Sequence, residues 1–407
     1  MPPSAPLLAA PVPPLAPSTA PARLFSRDFL LLCVSSFLFS LSMFLLFAVL
    51  PVFVVQALRG ANSQVGLIMG AFAVSAVLAR PSSGRIVDIW SRKAGLSLGA
   101  CIFCLAPALY TQAHSVALMV GLRFFHGIGV ALYTTAGGVM AADLCPPVRR
   151  AEGMGYYGMS MNLAMAFGPA LGAALIPRIG YTGLFSLCAL LGLLSLLLVQ
   201  VIRETPPERA PNSARPPLFS TAALLPGFVA MCMTMTFGAV ISFLPLLVQA
   251  HNLGNPGLYF TVYASIVVAS RPIAGRMADR FGRVRVIVPG MACLVVAMTL
   301  LAYTTTWWGL LWAAVLQGLG FGSVHPAVMA LVVDRSTQHD RGPALATLMG
   351  AFDIGVGLSA IGLGIVLEQT NFTVTYLCAA GIALMGGSVF ALVSLHQDNR
   401  QSAQGYL

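Results

Sequence analysis

The sequence predicts an all-α membrane protein of twelve transmembrane helices, arranged as two six-helix parallel repeats. Three observations lead there. Of 407 residues, 58% are apolar and only 8% charged, whereas a water-soluble domain carries about 25% charged residues to coat its surface. The apolar residues gather into twelve segments, each long enough to cross a hydrocarbon layer that takes about 20 helical residues. Finally, residues 80–88 recur as residues 271–279, an offset of 191.

Along the chain, residues 1–22 hold eight prolines among Ala, Leu and Ser. They read as a disordered cytoplasmic leader, lacking the basic start and continuous apolar core of a cleaved signal. Apolar segments follow at about 28–56, 62–83, 95–113, 116–141, 151–177 and 181–202, the six spans of an N-terminal half placed at 23–202. The charged, proline-rich stretch within 203–220 reads as a cytoplasmic linker. A second set at about 221–249, 256–275, 284–305, 307–333, 342–367 and 372–395 forms a C-terminal half, 221–395, before a cytoplasmic tail, 396–407.

The chain carries 22 basic and 12 acidic residues, a net charge of +10. In a soluble protein such an excess would point to nucleic acid; here the basic residues sit in short loops and report orientation instead. Seventeen fall on one side, including Arg92, Lys93, Arg149, Arg283 and Arg335, against Arg59 and Arg178 on the other. That places both termini and the linker in the cytoplasm and the protein, multi-pass, in the cytoplasmic (inner) membrane. Arg80, Arg123 and Arg271 sit in or beside apolar segments. The eight cysteines show no disulfide or zinc pattern, and Cys101 and Cys104, although spaced C-x-x-C, lie on a membrane segment and read as packing residues.

The offset of 191 also pairs Arg92 with Arg283, Gly127 with Gly318, Gly129 with Gly320, Asp143 with Asp334 and Arg150 with Arg341. A constant offset over that length marks an internal duplication. Because each copy has six spans, both begin on the same side of the membrane.

Gly275-Arg276-Met277-Ala278-Asp279-Arg280-Phe281-Gly282-Arg283 and its partial copy, Gly84, Asp88, Arg92 and Lys93 with Ser91 in place of glycine, resemble the loop signature of the major facilitator superfamily. The resemblance covers about residues 25–395. It implies the twelve-helix major facilitator fold, with a cytoplasmic latch of Gly84, Asp88, Arg92, Gly275, Asp279 and Arg283. In that latch Asp88 meets the start of segment 11 and Asp279 that of segment 5. Glycine there is expected to let the chain leave its helix tightly, and Asp to face the positive end of a neighbouring helix. Arg123 followed by Gly127 and Gly129 is similar to the family's segment-4 motif, associated with proton-coupled members. Gly155, Gly168, Pro169 and Gly172 resemble the antiporter motif of segment 5, with Ala164 and Ala173 where glycine is usual. Transporters with parallel repeats bind near the midplane and rock one half against the other.

An ionisable side chain in hydrocarbon costs about 2.5–3.5 kcal/mol on insertion scales and marks a functional candidate. Asp353 is the one acid deep in a span, eleven residues past Gly342 and so roughly 16 Å in. A lone carboxylate among apolar groups pays for its charge, which suits a group that takes up and releases protons; a structural ion pair is the other reading. Its repeat counterpart, Asn162, cannot titrate. Arg123 either binds an anionic group, controls a nearby proton site or serves as a structural donor, and His126, one turn on, either couples to it or packs neutrally. Gln317, the counterpart of His126, together with Asn162, His325 and Tyr133, is a candidate for lining the cavity. Arg80 and Arg271 read as snorkelling, latch-supporting residues.

No phosphate-binding loop, nucleophile–base pair or metal-ligand cluster is legible, so the reading is neither an enzyme nor a cofactor or metal protein. The expected function is secondary active efflux of a small organic molecule (a drug, siderophore or other secreted metabolite) in exchange for protons. The expected partners are that molecule, protons and lipid, with no nucleic acid, and the chain is expected to act as a monomer. The alternatives are an importer or facilitator of a sugar or organic acid, a lipid flippase and a non-transporting sensor.

Overall fold

A computed structural model describes residues 24–146, 149–204, 220–336 and 341–404; within them the side chains at 87–89, 151, 279, 341–343 and 397–404 are not described. The proline-rich leader, most of the linker and the end of the tail therefore lie outside the described residues.

The described residues form no strand. The helices are α1 (Arg27–Leu45), α2 (Leu50–Gln56), α3 (Asn62–Ile89), α4 (Arg92–Tyr110), α5 (Val116–Leu144), α6 (Arg150–Val201), α7 (Leu224–Ala250), α8 (Pro256–Phe281), α9 (Val284–Tyr303), α10 (Trp307–Arg335), α11 (Arg341–Gln369) and α12 (Phe372–Gln404). Helix is what lipid permits, since each backbone N–H and C=O must find its partner within the segment. Where the chain re-enters, a polar residue caps the first turn: Ser26, Ser91, Ser115, Asn255 and Thr306 each accept a backbone N–H.

Among the described residues, eleven helical stretches are long and apolar enough to cross a membrane, α1 and α2 counting as one. The longest, α6, has 52 residues, about 78 Å if straight and more than twice a bilayer core. It is interrupted at Gly180, whose φ of 64° is left-handed and open only to a residue without a Cβ. The sequence boundary between segments 5 and 6 falls at this break.

One expectation about the loop signature is corrected. Gly84 and Gly275 do not mark helix exits; α3 and α8 run through them to Ile89 and Phe281. The exit glycine is Gly282, at φ 90°. Its counterpart in the first copy, Ser91, is extended and caps α4 through its hydroxyl, which explains why that copy dispenses with glycine.

Packing repeats between the two parts of the chain. In the first, α1 and α4 lie along α6, and α3 and α4 along α5; in the second, α7 lies along α11, α12 along α9, and α8 and α9 along α10. Contacts recur at the offset of 191. A Cβ at Gly127 would strike the Phe72 carbonyl and one at Gly318 the Tyr263 carbonyl, while Gly129 abuts Phe103 and Gly320 abuts Leu294. Arg92 pairs with Asp143 at 3.0 Å and Arg283 with Asp334 at 3.2 Å.

Candidate functional site

Two seams join the N-terminal and C-terminal parts of the chain, α3 against α11 and α6 against α8. Both are tightest at one end of the bundle. There the Asn62 N–H donates to the Glu368 carboxylate at 2.8 Å, and α3 approaches α11 so closely that a Cβ at Gly66 would collide with the Ala360 carbonyl. In the other seam Gly257 meets the Pro169 carbonyl, and the Thr261 hydroxyl donates to the Ala166 carbonyl at 2.8 Å. Toward the opposite, arginine-rich end, no hydrogen bond or ion pair between described residues joins the parts beyond the level of Arg80 and Asp353. At Gly84, Gly155, Gly158, Gly275 and Gly350 a Cβ would meet nothing within 4 Å. Among the described residues, the contacts that join the parts gather at one end and thin out toward the other.

Asp353 stands where those contacts begin to thin out. Its carboxylate accepts a hydrogen bond from Arg80 Nε in an ion pair that spans the two parts of the chain. This corrects two expectations. The carboxylate is not alone, because the same low polarity that penalises one charge rewards its pairing with another. Arg80 does not snorkel to a helix end: it lies nine residues before the end of α3 and turns into the seam. The side chains of Asp353 and Arg80 are 24% and 30% exposed, so the pair is not sealed off.

Arg123 and His126 come together, but not with Asp353. Arg123, on α5, is 1% exposed; its guanidinium lies 4.2 Å from the centre of the Phe72 ring, and Nη2 is 4.0 Å from the Met69 sulfur. No carboxylate pairs with it among the described residues, its Nε has no partner, and the face of an aromatic ring supplies part of what a counter-ion would. His126, fully buried, shares a 2.7 Å hydrogen bond through Nδ1 with the Tyr110 hydroxyl. Arg80 is eight residues beyond Phe72 along α3, about 12 Å, so a direct relay from Asp353 to this cluster is not built. Tyr110 went unnoticed in the sequence, where a tyrosine ending an apolar segment looks like an interfacial anchor.

The chain's place among known proteins rests on matches along nearly its whole length. Residues 32–268 and 227–405 each match the profile of the Major Facilitator Superfamily. The chain belongs to this superfamily. A protein named an uncharacterized MFS-type transporter in Methanocaldococcus jannaschii is 22% identical over 82% of this chain and 90% of its own. Another so named, in Burkholderia mallei, is 24% identical over 95% and 97%. The crystal structure of the nucleoside transporter NupG superposes with a TM-score of 0.72 at 14% identity, covering 90% of this chain and 98% of that one, and so speaks to the fold alone. The protein is a multi-pass membrane transporter of the superfamily and not an enzyme.

Within this major facilitator bundle the remaining candidates separate. Tyr133 does not line an opening: it is 1% exposed, stacked 3.8 Å from Phe39 and hydrogen-bonded to Ser35 at 2.6 Å. Gln317 is closed off as well, accepting from the Tyr259 hydroxyl at 2.5 Å. His325 is sandwiched between Phe321 and Phe352, which places it beside the residue preceding Asp353. Asn162 is half-buried on α6. Gly168 and Gly172 hold α6 against the end of α1 at Phe44 and Leu45, whereas Gly155 touches nothing. The latch arginines Arg92 and Arg283 pair within their own part of the chain; the side chains of Asp88 and Asp279 lie outside the described residues.

Proposed function

We propose that this transporter exports a small organic molecule across the cytoplasmic membrane in exchange for protons, by alternating access. In this reading the break at Gly180 makes twelve spans, in two six-helix repeats at 23–202 and 221–395. The arginine-rich end faces the cytoplasm, with both termini, and the state described here is open to that side. Each chain encloses its own pathway and works as a monomer.

The observation that carries the reading is the Arg80–Asp353 pair, where a carboxylate within the membrane binds a cation on the opposite half at the point where the halves part. A charged Asp353 holds Arg80 and keeps the outer end closed. Cargo entering from the cytoplasm loosens the pair and lets the outer end open, and Asp353, now facing that side, takes up a proton as the cargo leaves. Proton release to the cytoplasm re-forms the pair and resets the carrier for cargo. The Gly168-Pro169 region lies in the other seam, where a proline within a helix permits the bending such a cycle requires.

The test is metabolite profiling of cells and spent medium with the gene intact, deleted, and replaced by the Asp353→Asn form. Export requires a compound that accumulates inside the deletion strain, disappears from its medium, and is not restored by Asp353→Asn. A compound left in the medium and depleted inside would make the protein an importer and overturn the direction proposed.

A further inference from the structure

The two seams superpose residue for residue at the offset of 191, and that register exposes a charge with no partner. Gly66 against the Ala360 carbonyl becomes Gly257 against the Pro169 carbonyl. Gly70 beside the Gly357 carbonyl becomes Thr261 hydrogen-bonded to the Ala166 carbonyl. The next polar level in the first seam is Arg80 with Asp353, and the corresponding positions in the second are Arg271 and Asn162. The acid is missing. Among the described residues Arg271 makes no ion pair, and its buried Nε has no hydrogen-bond partner. An uncompensated guanidinium at this depth is expensive, and pairing it would have taken only an aspartate at position 162.

The helix of Arg271 carries a second unpartnered polar group among aromatic rings. Tyr263, about two turns earlier on the same helix, has its own hydroxyl buried without a partner. Phe237 stacks on Tyr263 at 5.7 Å, Phe321 lies 5.9 Å from Tyr263, and His325 lies 4.9 Å from Phe352. A run of rings from α7, α8, α10 and α11 thus gathers around Tyr263, on the helix that also carries Arg271.

We propose that Arg271 is the anchor for the cargo, and that the cargo is an organic anion whose carboxylate or other oxyanion group takes the place left open at Asn162, with its apolar body on the aromatic run. This rests on the transport reading above for its purpose, but not for its test. A planar oxyanion matches the guanidinium fork, and the Tyr263 hydroxyl supplies a further donor. The seam with the built-in acid serves the proton, and the seam without it serves the cargo.

Full-length protein in phosphatidylcholine nanodiscs, free of anionic headgroups, is to be assayed for equilibrium binding of 2-naphthoate and of the neutral 2-naphthamide. The wild type is expected to prefer the carboxylate by about tenfold or more, as a charge-assisted bidentate contact provides. Arg271→Gln should erase the preference and Arg271→Lys retain part of it. Asn162→Asp should erase it too, by giving Arg271 the partner that Arg80 already has, and it adds no bulk that would threaten folding. No preference in the wild type, or a preference surviving Arg271→Gln or Asn162→Asp, would overturn the proposal. A protein that binds naphthoate through Arg271 yet moves no metabolite out of cells would keep this inference and remove the transport reading instead.

Discussion

The seam of α3 with α11 and the seam of α6 with α8 share one backbone design and differ in one chemical choice. Each brings two helices together through small residues at the closed end, where lipid-immersed helices gain from close approach. Each then presents an arginine at the level where the halves part. In the first that arginine meets Asp353; in the second Arg271 has a buried Nε without a partner, and the residue that corresponds to Asp353 is Asn162. The likeness fits a duplication, and in the proposed reading the loss of symmetry at this one level is where the two parts divide their labour. A fully symmetric carrier would have two identical ion pairs and no vacant charge to offer a ligand.

The strongest way to break this comparison is to neutralise the acid. Asp353→Asn is expected to lower flux driven by a pH gradient by about a hundredfold or more, the usual range for an essential proton-transfer group, as measured in proteoliposomes with a cargo found by profiling. Moving Asp353 out of its seam and into the other, by combining Asp353→Asn with Asn162→Asp, should not restore it. The closed end offers a second, smaller test. Gly66→Leu and Gly257→Leu each drive a side chain into a facing carbonyl, which should cost the closed state about 1–3 kcal/mol. Both are expected to slow transport several-fold and to make the outer cavity more reactive to a membrane-impermeant thiol reagent, equally in the two seams.

The buried polar pairs behind the seams sharpen the contrast at a lower energy. Tyr110→Phe leaves the His126 ring, and Tyr259→Phe the Gln317 amide, without the partners described here; each should cost about 1–3 kcal/mol of stability, read from thermal unfolding in detergent. Weakest of all are the ion pairs at the arginine-rich end. The acids Asp143 and Asp334 are 48% and 54% exposed, so Asp143→Asn and Asp334→Asn should each shift stability by no more than about 1 kcal/mol.

Much of this architecture is legible in the sequence because lipid imposes it. The long apolar helices follow from apolar length, although the described residues give eleven such stretches where the sequence reads twelve, and the seams share the register that pairs residue 80 with 271. The Arg80–Asp353 pair was within reach as well. Three arginines and one carboxylate lie deep in the spans, and a buried acid rarely stays alone. Reading each charge against its own helix end concealed the pairing, because α3 runs through its loop signature to Ile89 and sets Arg80 deeper than the apolar segment implied. The Tyr110–His126 contact lay out of reach, since it depends on how α4 and α5 rotate against each other and no periodicity encodes that. Tyr133 misled for a related reason: its place on an apolar helix does not say whether the inside is open or packed.

The central claim is that the Arg80–Asp353 pair holds the outer end shut, and a distance measurement across that end tests it most directly. With the eight unpaired native cysteines replaced by alanine, spin labels at Ala61→Cys and Thr370→Cys report the separation of α3 and α11 in nanodiscs by pulsed electron resonance. A single short distance is expected in the otherwise native chain. A second, longer population is expected once Asp353→Asn is added, and the short distance should return when Arg80→Asp is combined with Asp353→Arg. A distribution that Asp353→Asn leaves unchanged would contradict the claim, leaving the pair a passive contact between two halves held together by their small residues alone.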